Sequence, residues 1–555
     1  MADTQAPPDK MFPALDPAQI ERLSPFGKHR HVQKGHILFD QGDSDAGMFI
    51  ILSGGIEIIS PRRTVETIIT VHHPGDFTGE VNLLTGRRSL VRGRATEDSE
   101  LFEIDRANLR RIVQTDPELS EIFLRAFVLR RSFLIANTPG DALIVGSSHS
   151  ADTLRLKEFL SRNGHPFTYM DVDRDQGIQA LFDHFGVGRQ DIPILVCRGQ
   201  KVLRNPSNSE AADCLGFNAE VDEEIGKEHV YDVIVVGAGP SGLAAAVYAA
   251  SEGLDVVVLE SSAPGGQAGS SSLIENYLGF PTGISGQELS GRAFIQAQKF
   301  GAQVAIAHSA AELKCKHRPF VIGQKDGNLV RGRAVIVATG AEYRKLPLPN
   351  LAQFEGSGIY YGATHVEAQL CAGEDVAVIG GGNSAGQAAI FLSSKAKHVH
   401  LLVRGPALSD TMSRYLISRI EDCSDITLRT NTEVESLEGD GQLDRITWRN
   451  SDTGDTETRE IHHVFSMTGA CPNTKWMQGC LRLDEKEFIK TGADLDIADL
   501  SSVSWPLSRQ PYLFETSVPG IFAVGDVRAG SIKRVASAVG EGSVAVQLVH
   551  KVLAE

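Results

Sequence analysis

The chain has 555 residues, 42% of them hydrophobic, which is enough for three to four domains, each with its own core. Its 54 Lys and Arg against 70 Asp and Glu leave a net charge of −16, and that balance excludes broad, non-specific nucleic-acid binding. No basic start followed by an apolar run opens the sequence, and the most apolar stretch, Val233 to Leu259, is broken by Gly237, Gly239, Pro240 and Gly242; neither a signal peptide nor a membrane span is expected, and the cytoplasm is the default compartment.

Residues 12–138 begin with short β-rich runs divided by glycines. They end in a helical stretch whose apolar positions Leu109, Ile112, Val113, Ile122, Phe123 and Phe127 recur at helical spacing. Pro117 is expected to split it into two helices. Residues 141–215 read as β-α-β-α-β-β, with ALIVGS, FTYMDVD and PILVC as strands and LRLKEFLSRNG and IQALFDHFG as helices. The acidic, weakly apolar residues 216–229 read as a linker. From residue 230 onward strands and helices alternate, as in doubly wound α/β architecture.

The strand YDVIVV runs into Gly237-Ala238-Gly239-Pro240-Ser241-Gly242, and a helix and a second strand ending at Glu260 follow. Gly237 permits the tight turn, Gly239 lets backbone approach a pyrophosphate, and Gly242 lets helix and strand pack closely. The helix N-terminus offers unpaired N–H groups to phosphates. Glu260, 18 residues after Gly242, is placed to accept from ribose hydroxyls.

A second fingerprint follows the strand DVAVI, with Gly380, Gly382, Asn383, Ser384 and Ala385 in the turn. The next strand, HVHLLV, ends in Arg404 where an acid would favour NAD. An arginine there can pair with a ribose phosphate, and Arg414 can add a second positive contact, so NADPH is the expected nucleotide.

Residues 230–550 resemble the low-molecular-weight thioredoxin reductases. Beyond the fingerprints, Gly265-Gly266-Gln267 looks like that family's flavin-contacting GGQ, and the segment holding Asn276 like its IENYPGF. Val337-Ala338-Thr339-Gly340 looks like the ATG motif that returns the chain to the FAD domain, and Gly525-Asp526 like the motif whose Asp meets FAD. The resemblance implies FAD and NADPH as cofactors, a homodimer, and two Rossmann-like, three-layer ββα domains. The FAD domain would be 230–345 with 475–550, and the NAD(P)H domain 346–474.

The chain departs from that family in two places. The family carries a redox-active CxxC just before the second fingerprint, whereas this chain reads Gly358-Ile359-Tyr360-Tyr361-Gly362-Ala363-Thr364-His365. Gly362 and His365 stand at the cysteine positions, so a disulfide relay there is excluded. His365 becomes a candidate proton donor beside the flavin. Near the C-terminus, Arg534-Val535-Ala536 stands where the family has Arg-Gln-Ala, which alters a contact at the flavin edge.

The seven cysteines, Cys197, Cys214, Cys315, Cys371, Cys423, Cys471 and Cys480, form no CxxC pair. Their odd number and scatter predict reduced thiols. No metal site is expected.

Residues 12–138 resemble a cyclic nucleotide-binding domain, a β-roll with helices. Gly35, Gly42, Asp43 and Gly54 fall at its turns, and GDFTGEVNLLTGRRSLVRGRA stands as the phosphate-binding cassette. The resemblance gives Gly79 and Glu80 the ribose and Arg87 or Arg88 the cyclic phosphate. Ser89, Leu90 and Val91 depart from it. Residues 141–215 resemble the thioredoxin and glutaredoxin fold, with Asp191-Ile192-Pro193 before its cis-proline. No cysteine stands at Ser150-Ala151-Asp152-Thr153, where its CxxC would fall.

The resulting expectation is an NADPH-dependent flavoprotein passing electrons from FAD directly to ferredoxin, flavodoxin, a quinone, oxygen or a protein disulfide. The alternatives are a redox- or nucleotide-sensing regulatory flavoprotein, and a thioredoxin-disulfide reductase using a non-standard cysteine such as Cys371.

Overall fold

The computed structural model describes residues 8–555 apart from 45, 62–65, 138–139, 176–177, 200, 219–220, 222–227 and 504. Two small antiparallel sheets come first. Lys28–Val32, Ser99–Ile104 and Met48–Ser53 form one; Ile37–Phe39, Arg92–Ala95, Ile56–Pro61 and Glu66–His72 form the other. Helices Arg106–Thr115 and Pro117–Asn137 follow, divided at Pro117 as expected. Asp105 caps the first by accepting from the Asn108 N–H. Phe77, Phe123 and Phe127 bind helix to roll in a buried edge-to-face cluster.

The second sheet system orders Lys201–Arg204, Ile194–Cys197, Ala142–Gly146 and Phe167–Asp171. Ala142–Gly146 pairs parallel with Phe167–Asp171 and antiparallel with Ile194–Cys197. The Ile192–Pro193 peptide is cis. A helix absent from the sequence reading, Asn208–Leu215, closes this unit under a Ser207–Glu210 capping box. Phe217 and Asn218, in the segment read as linker, are buried. Asn218 exchanges hydrogen bonds of 2.7 Å with both backbone groups of Ile306.

The expectation of reduced, unpaired cysteines is corrected for four of the seven. Disulfides join Cys197 to Cys214 and Cys315 to Cys480, leaving Cys371, Cys423 and Cys471 free. Separations of 17 and 165 residues leave no local spacing signal. The pairing is created by docking the Asn208–Leu215 helix on its sheet, and residues 475–480 on the Ala310–Lys314 strand.

The C-terminal half holds two nucleotide-type sheets. Gln303–Ile306, Val256–Glu260, Val230–Val236 and Leu329–Val337 run parallel, extended by Phe320–Gln324 and Ala310–Lys314, with Ile521–Ala523 also pairing Leu329–Val337. The other sheet is parallel throughout, in the order Ile359–Tyr360, His463–Ser466, Asp375–Ile379, His398–Leu402, Ile426–Arg429, and carries a separate three-stranded antiparallel sheet over residues 432–460. A two-stranded link, Ala341–Tyr343 with Ala470–Pro472, joins the two halves.

Candidate active site

At the first fingerprint each glycine is used for a different reason. Gly237 has φ of 103°, a left-handed conformation that strains any other residue. A Cβ on Gly242 would lie 1.8 Å from the Gly237 carbonyl oxygen, so helix Pro240–Ser251 can sit this close to its strand only without one. A Cβ on Gly239 would meet nothing nearer than the Gly266 Cα at 4.0 Å, so the turn leaves room at the helix N-terminus. Pro240 occupies the first turn, where its missing N–H costs nothing. Ser241 is buried against Gly525.

Glu260 is buried at the end of its strand and accepts from the Ala238 and Ser262 N–H groups, both at 2.8 Å. Burial pushes its carboxyl pKa above the ordinary range, against the pull of those backbone donors. Each oxygen keeps a further lone pair for a ribose hydroxyl.

The GGQ turn closes over this fingerprint. The Gly265 N–H donates to the Ala238 carbonyl at 2.7 Å, and Gln267 Nε2 donates to the Ala341 carbonyl at 2.6 Å. Thr339 and Gly340 are tied to the interdomain link. Thr339 Oγ1 donates to the Asn473 carbonyl at 2.9 Å, and Asn473 Nδ2 donates back to the Thr339 carbonyl at 3.0 Å. Asp526 follows Gly525, whose N–H donates to Glu541 at 2.6 Å; burial raises the Asp526 pKa. Arg534 stands at the N-cap position of the helix Val535–Ala554, with Val535 and Ala536 in its first turn. Asn276 is exposed on its loop. The open backbone at Gly239 and the acid at the strand end fit an adenine dinucleotide such as FAD.

The second fingerprint repeats the design. Gly380 has φ of 145°, and a Cβ there would lie 2.6 Å from the Met467 carbonyl oxygen; a Cβ on Gly382 would meet nothing within 4 Å. Asn383 accepts from the Ser413 N–H at 2.7 Å, and Ala385 is buried against the strand. Arg404 reaches outward, its side chain 87% exposed and 3.7 Å from Glu433. Arg414 opens helix Arg414–Glu421 and is exposed. An exposed ion pair of this kind is weak, so Arg404 stays available to a phosphate. The open turn and the two arginines fit NADPH.

Tyr343, missed from the sequence, joins the two sites. Tyr343 is half-buried, its hydroxyl lying by Ser384 of the second fingerprint and in the field of Asp526. Burial raises its pKa, so it stays a neutral phenol. Its place three residues after the ATG-like motif was the available signal.

Gly362 lies 3.9 Å, by its Cβ position, from the Ser270 Cβ just past the GGQ turn. His365 opens helix His365–Leu370, but its side chain lies outside the described residues. Thr364 caps that helix and pairs with Glu367. Cys371 is buried at the far end, its thiol pushed up to about 11 by burial.

The Ala151–Arg162 helix rests on this region. A Cβ on Gly356 would lie 2.6 Å from Ala151 Cβ, and Leu154 belongs to the same buried cluster as Tyr360, Ala363 and Cys371. Glu158 lies beside Glu367, and burial together with that second carboxyl raises the Glu158 pKa to about 9.

In the β-roll, Gly79 and Glu80 line a cavity with Phe39, Ile58, Val91 and Arg130. Arg87 and Arg88 do not line it. Arg87 lies over the rings of Phe217 at 4.9 Å and Phe294 at 5.3 Å, and Arg88 reaches Gly216. Neither of the two arginines that the resemblance offers to the cyclic phosphate, Arg87 or Arg88, is thus turned into this cavity.

Residues 231–542 match the family model for pyridine nucleotide-disulphide oxidoreductases, and residues 29–116 match that for the cyclic nucleotide-binding domain. The chain is 32% identical to NADPH-dependent thioredoxin reductase 3 of Arabidopsis thaliana over 360 residues, covering 62% of this chain and 64% of that one. It thus spans just under two thirds of that relative. Identity to the thioredoxin reductase of Bacillus subtilis is 32% over 331 residues, 59% of this chain and 96% of that one. The crystal structure of T. acidophilum thioredoxin reductase superposes with a TM-score of 0.52 at 30% identity, covering 59% of this chain and all of that one. Thioredoxin reductase-like proteins of this kind use FAD and NADPH. The chain belongs to the pyridine nucleotide-disulphide oxidoreductases, a family of NAD(P)H-dependent flavoproteins, and carries a cyclic nucleotide-binding domain ahead of that region.

Proposed function

We propose that this chain takes hydride from NADPH onto FAD and passes electrons from the flavin directly to an acceptor, with no dithiol relay. The reading rests on one observation: both nucleotide turns are built with open backbone at Gly239 and Gly382, while Gly362 stands beside the GGQ turn where the family's first cysteine would be. FAD, when bound, supplies the two-electron chemistry. Gly239 and Gly382 open the turns to the two pyrophosphates, Glu260 holds a ribose, and Arg404 with Arg414 selects the phosphorylated nucleotide.

Cys371 is a poor substitute for the lost pair, because a buried thiol with a raised pKa supplies almost no thiolate near neutrality. Ferredoxin, flavodoxin, a quinone and oxygen are the acceptor classes to test, with a protein disulfide as the control. Anaerobic mixing with NADPH should bleach the 450 nm flavin band within seconds, and one of these acceptors should restore it. A band that does not bleach overturns the reading.

For the N-terminal half we propose a regulatory role. The chain divides as 12–138 cyclic nucleotide-binding-like, 141–215 thioredoxin-like, 216–229 connecting, 230–345 with 475–550 for FAD, and 346–474 for NADPH. The mixed four-stranded sheet supports the thioredoxin-like reading of the second unit.

A further inference from the structure

The C-terminal end of the Ala151–Arg162 helix is gripped from two sides. From the β-roll, Arg87 Nη1 donates to the Asn163 carbonyl at 2.6 Å and Arg131 Nη2 donates to the Gly164 carbonyl at 3.0 Å. From the flavin side, Arg162 Nη2 donates to the Gly266 carbonyl at 2.8 Å, and Asn163 Nδ2 donates to the Ser262 carbonyl at 3.2 Å. Each end of this chain of bonds reaches a site. Arg131 Nη1 meets Glu80 Oε1 at 3.3 Å, and Glu80 lines the β-roll cavity. Gly266 is the middle of the GGQ turn, and the Ser262 N–H holds Glu260.

Residues 162–164 therefore carry an unbroken path from the cavity to both loops that frame the first fingerprint. The path is polar and largely charge-assisted, so its geometry is more directional than apolar packing. It also has spare capacity. Among the described residues, Glu80 Oε2, Arg162 Nε and Asn163 Oδ1 are buried without a hydrogen-bond partner. Unused donors and acceptors at both ends give the network the means for a second arrangement.

We propose that this helix end is a coupling joint: a change in how Glu80 is held inside the β-roll cavity shifts the Gly265–Gln267 turn and so retunes the flavin site. The inference rests on the reading above that this turn contacts FAD. A ligand entering the cavity with an O–H or N–H donor would find Glu80 Oε2 free. Engaging it would loosen Glu80 from Arg131, and Arg131 from the Gly164 carbonyl.

The test uses the FAD-loaded full chain and two readouts, hydrogen exchange in the peptide 262–270 and the rate of flavin bleaching by NADPH. Arg131→Gln should raise exchange in 262–270 by about threefold, the low end of couplings carried along packed networks, and should change the bleaching rate. Arg162→Gln should do the same. The double variant should show no further effect, since both substitutions break one path. Glu80→Gln, which keeps the shape of its site, carries the test if Arg131→Gln does not fold. Unchanged exchange in 262–270 in Arg131→Gln or Glu80→Gln, or additive effects in the double variant, would overturn the proposal. If NADPH bleaches no form of the protein, the reductase reading fails, and the exchange data still decide the coupling.

Discussion

The Glu158–Glu367 contact ties the docking of the thioredoxin-like unit to pH. Two buried carboxyls in contact cannot both ionise at low cost. Glu158 keeps its proton in the docked state up to about 9, against an ordinary value of 4.5. Arg162 on the same helix partly offsets this, and Lys157 faces Glu367. Undocked and wetted, Glu158 ionises near its ordinary value. The docked form therefore holds about one more proton over that window, and rising pH favours opening. Stability from this contact is fully present below the ordinary pKa and is lost progressively up to the raised one. At about 1.4 kcal/mol per pH unit the ceiling is about 6 kcal/mol across the window, or about a hundredfold more open form from pH 6 to pH 8. Water entry lowers the slope, and even half of it gives about tenfold. Brief trypsin digestion reads the open population when reclosing outpaces cleavage. Cutting after Arg155 and Lys157, normalised to a free peptide of the same sequence, should rise with pH in the wild type. It should stay flat in Glu158→Gln, whose amide donates to Glu367 at every pH. Equal pH dependence in the two proteins would refute the shared proton.

Three further outcomes follow from the site. Gly242→Ala places a Cβ 1.8 Å from the Gly237 carbonyl oxygen; at an overpacking cost of about 3 kcal/mol, the purified protein should lose most of its 450 nm absorbance, and full flavin content would contradict the packing argument. Removing both arginines in Arg404→Ala with Arg414→Ala should raise KM for NADPH by about tenfold or more and leave NADH unchanged, and equal losses for the two nucleotides would remove the phosphate assignment. Thiol titration of the denatured, unreduced protein should find the three cysteines outside the two disulfides, with Cys471 fast and Cys371 slow in the native state; seven reactive thiols would exclude the pairing.

The glycine fingerprints were legible because their causes are local. A left-handed φ at Gly237 and a forbidden Cβ at Gly242 are fixed by the few residues around them, and sequence spacing records that directly. The division at Pro117 was legible for the same reason. The Asn208–Leu215 helix was written too, in the Ser207–Glu210 capping box, but its eight residues gave a weak periodic signal. What escaped depends on contacts across domains. Matching a cassette by spacing identifies Arg87 and Arg88 but not the direction of their side chains, and here the Asn163 carbonyl and the rings of Phe217 and Phe294 draw Arg87 away from the cavity. Tyr343 and Arg162 belong to no motif. They matter through what folding places beside them.

The two losses of sulfur meet at one interface. The first turn of the Ala151–Arg162 helix, where the thioredoxin-like unit would carry its dithiol, lies against Gly356. Leu154 is buried with Tyr360 and Ala363, beside the Gly362 position where the reductase half would carry its own. A dithiol that exchanges electrons between two proteins must be reached and released, so both of its faces have to remain partly exposed. Here apolar burial at Leu154 and a carboxyl pair at Glu158 and Glu367 replace that traffic with a standing contact. The other end of the same helix holds the Gly265–Gln267 turn through Arg162. A helix braced at one end on the NADPH half and at the other on the FAD half constrains how those halves sit against each other across their two-stranded link.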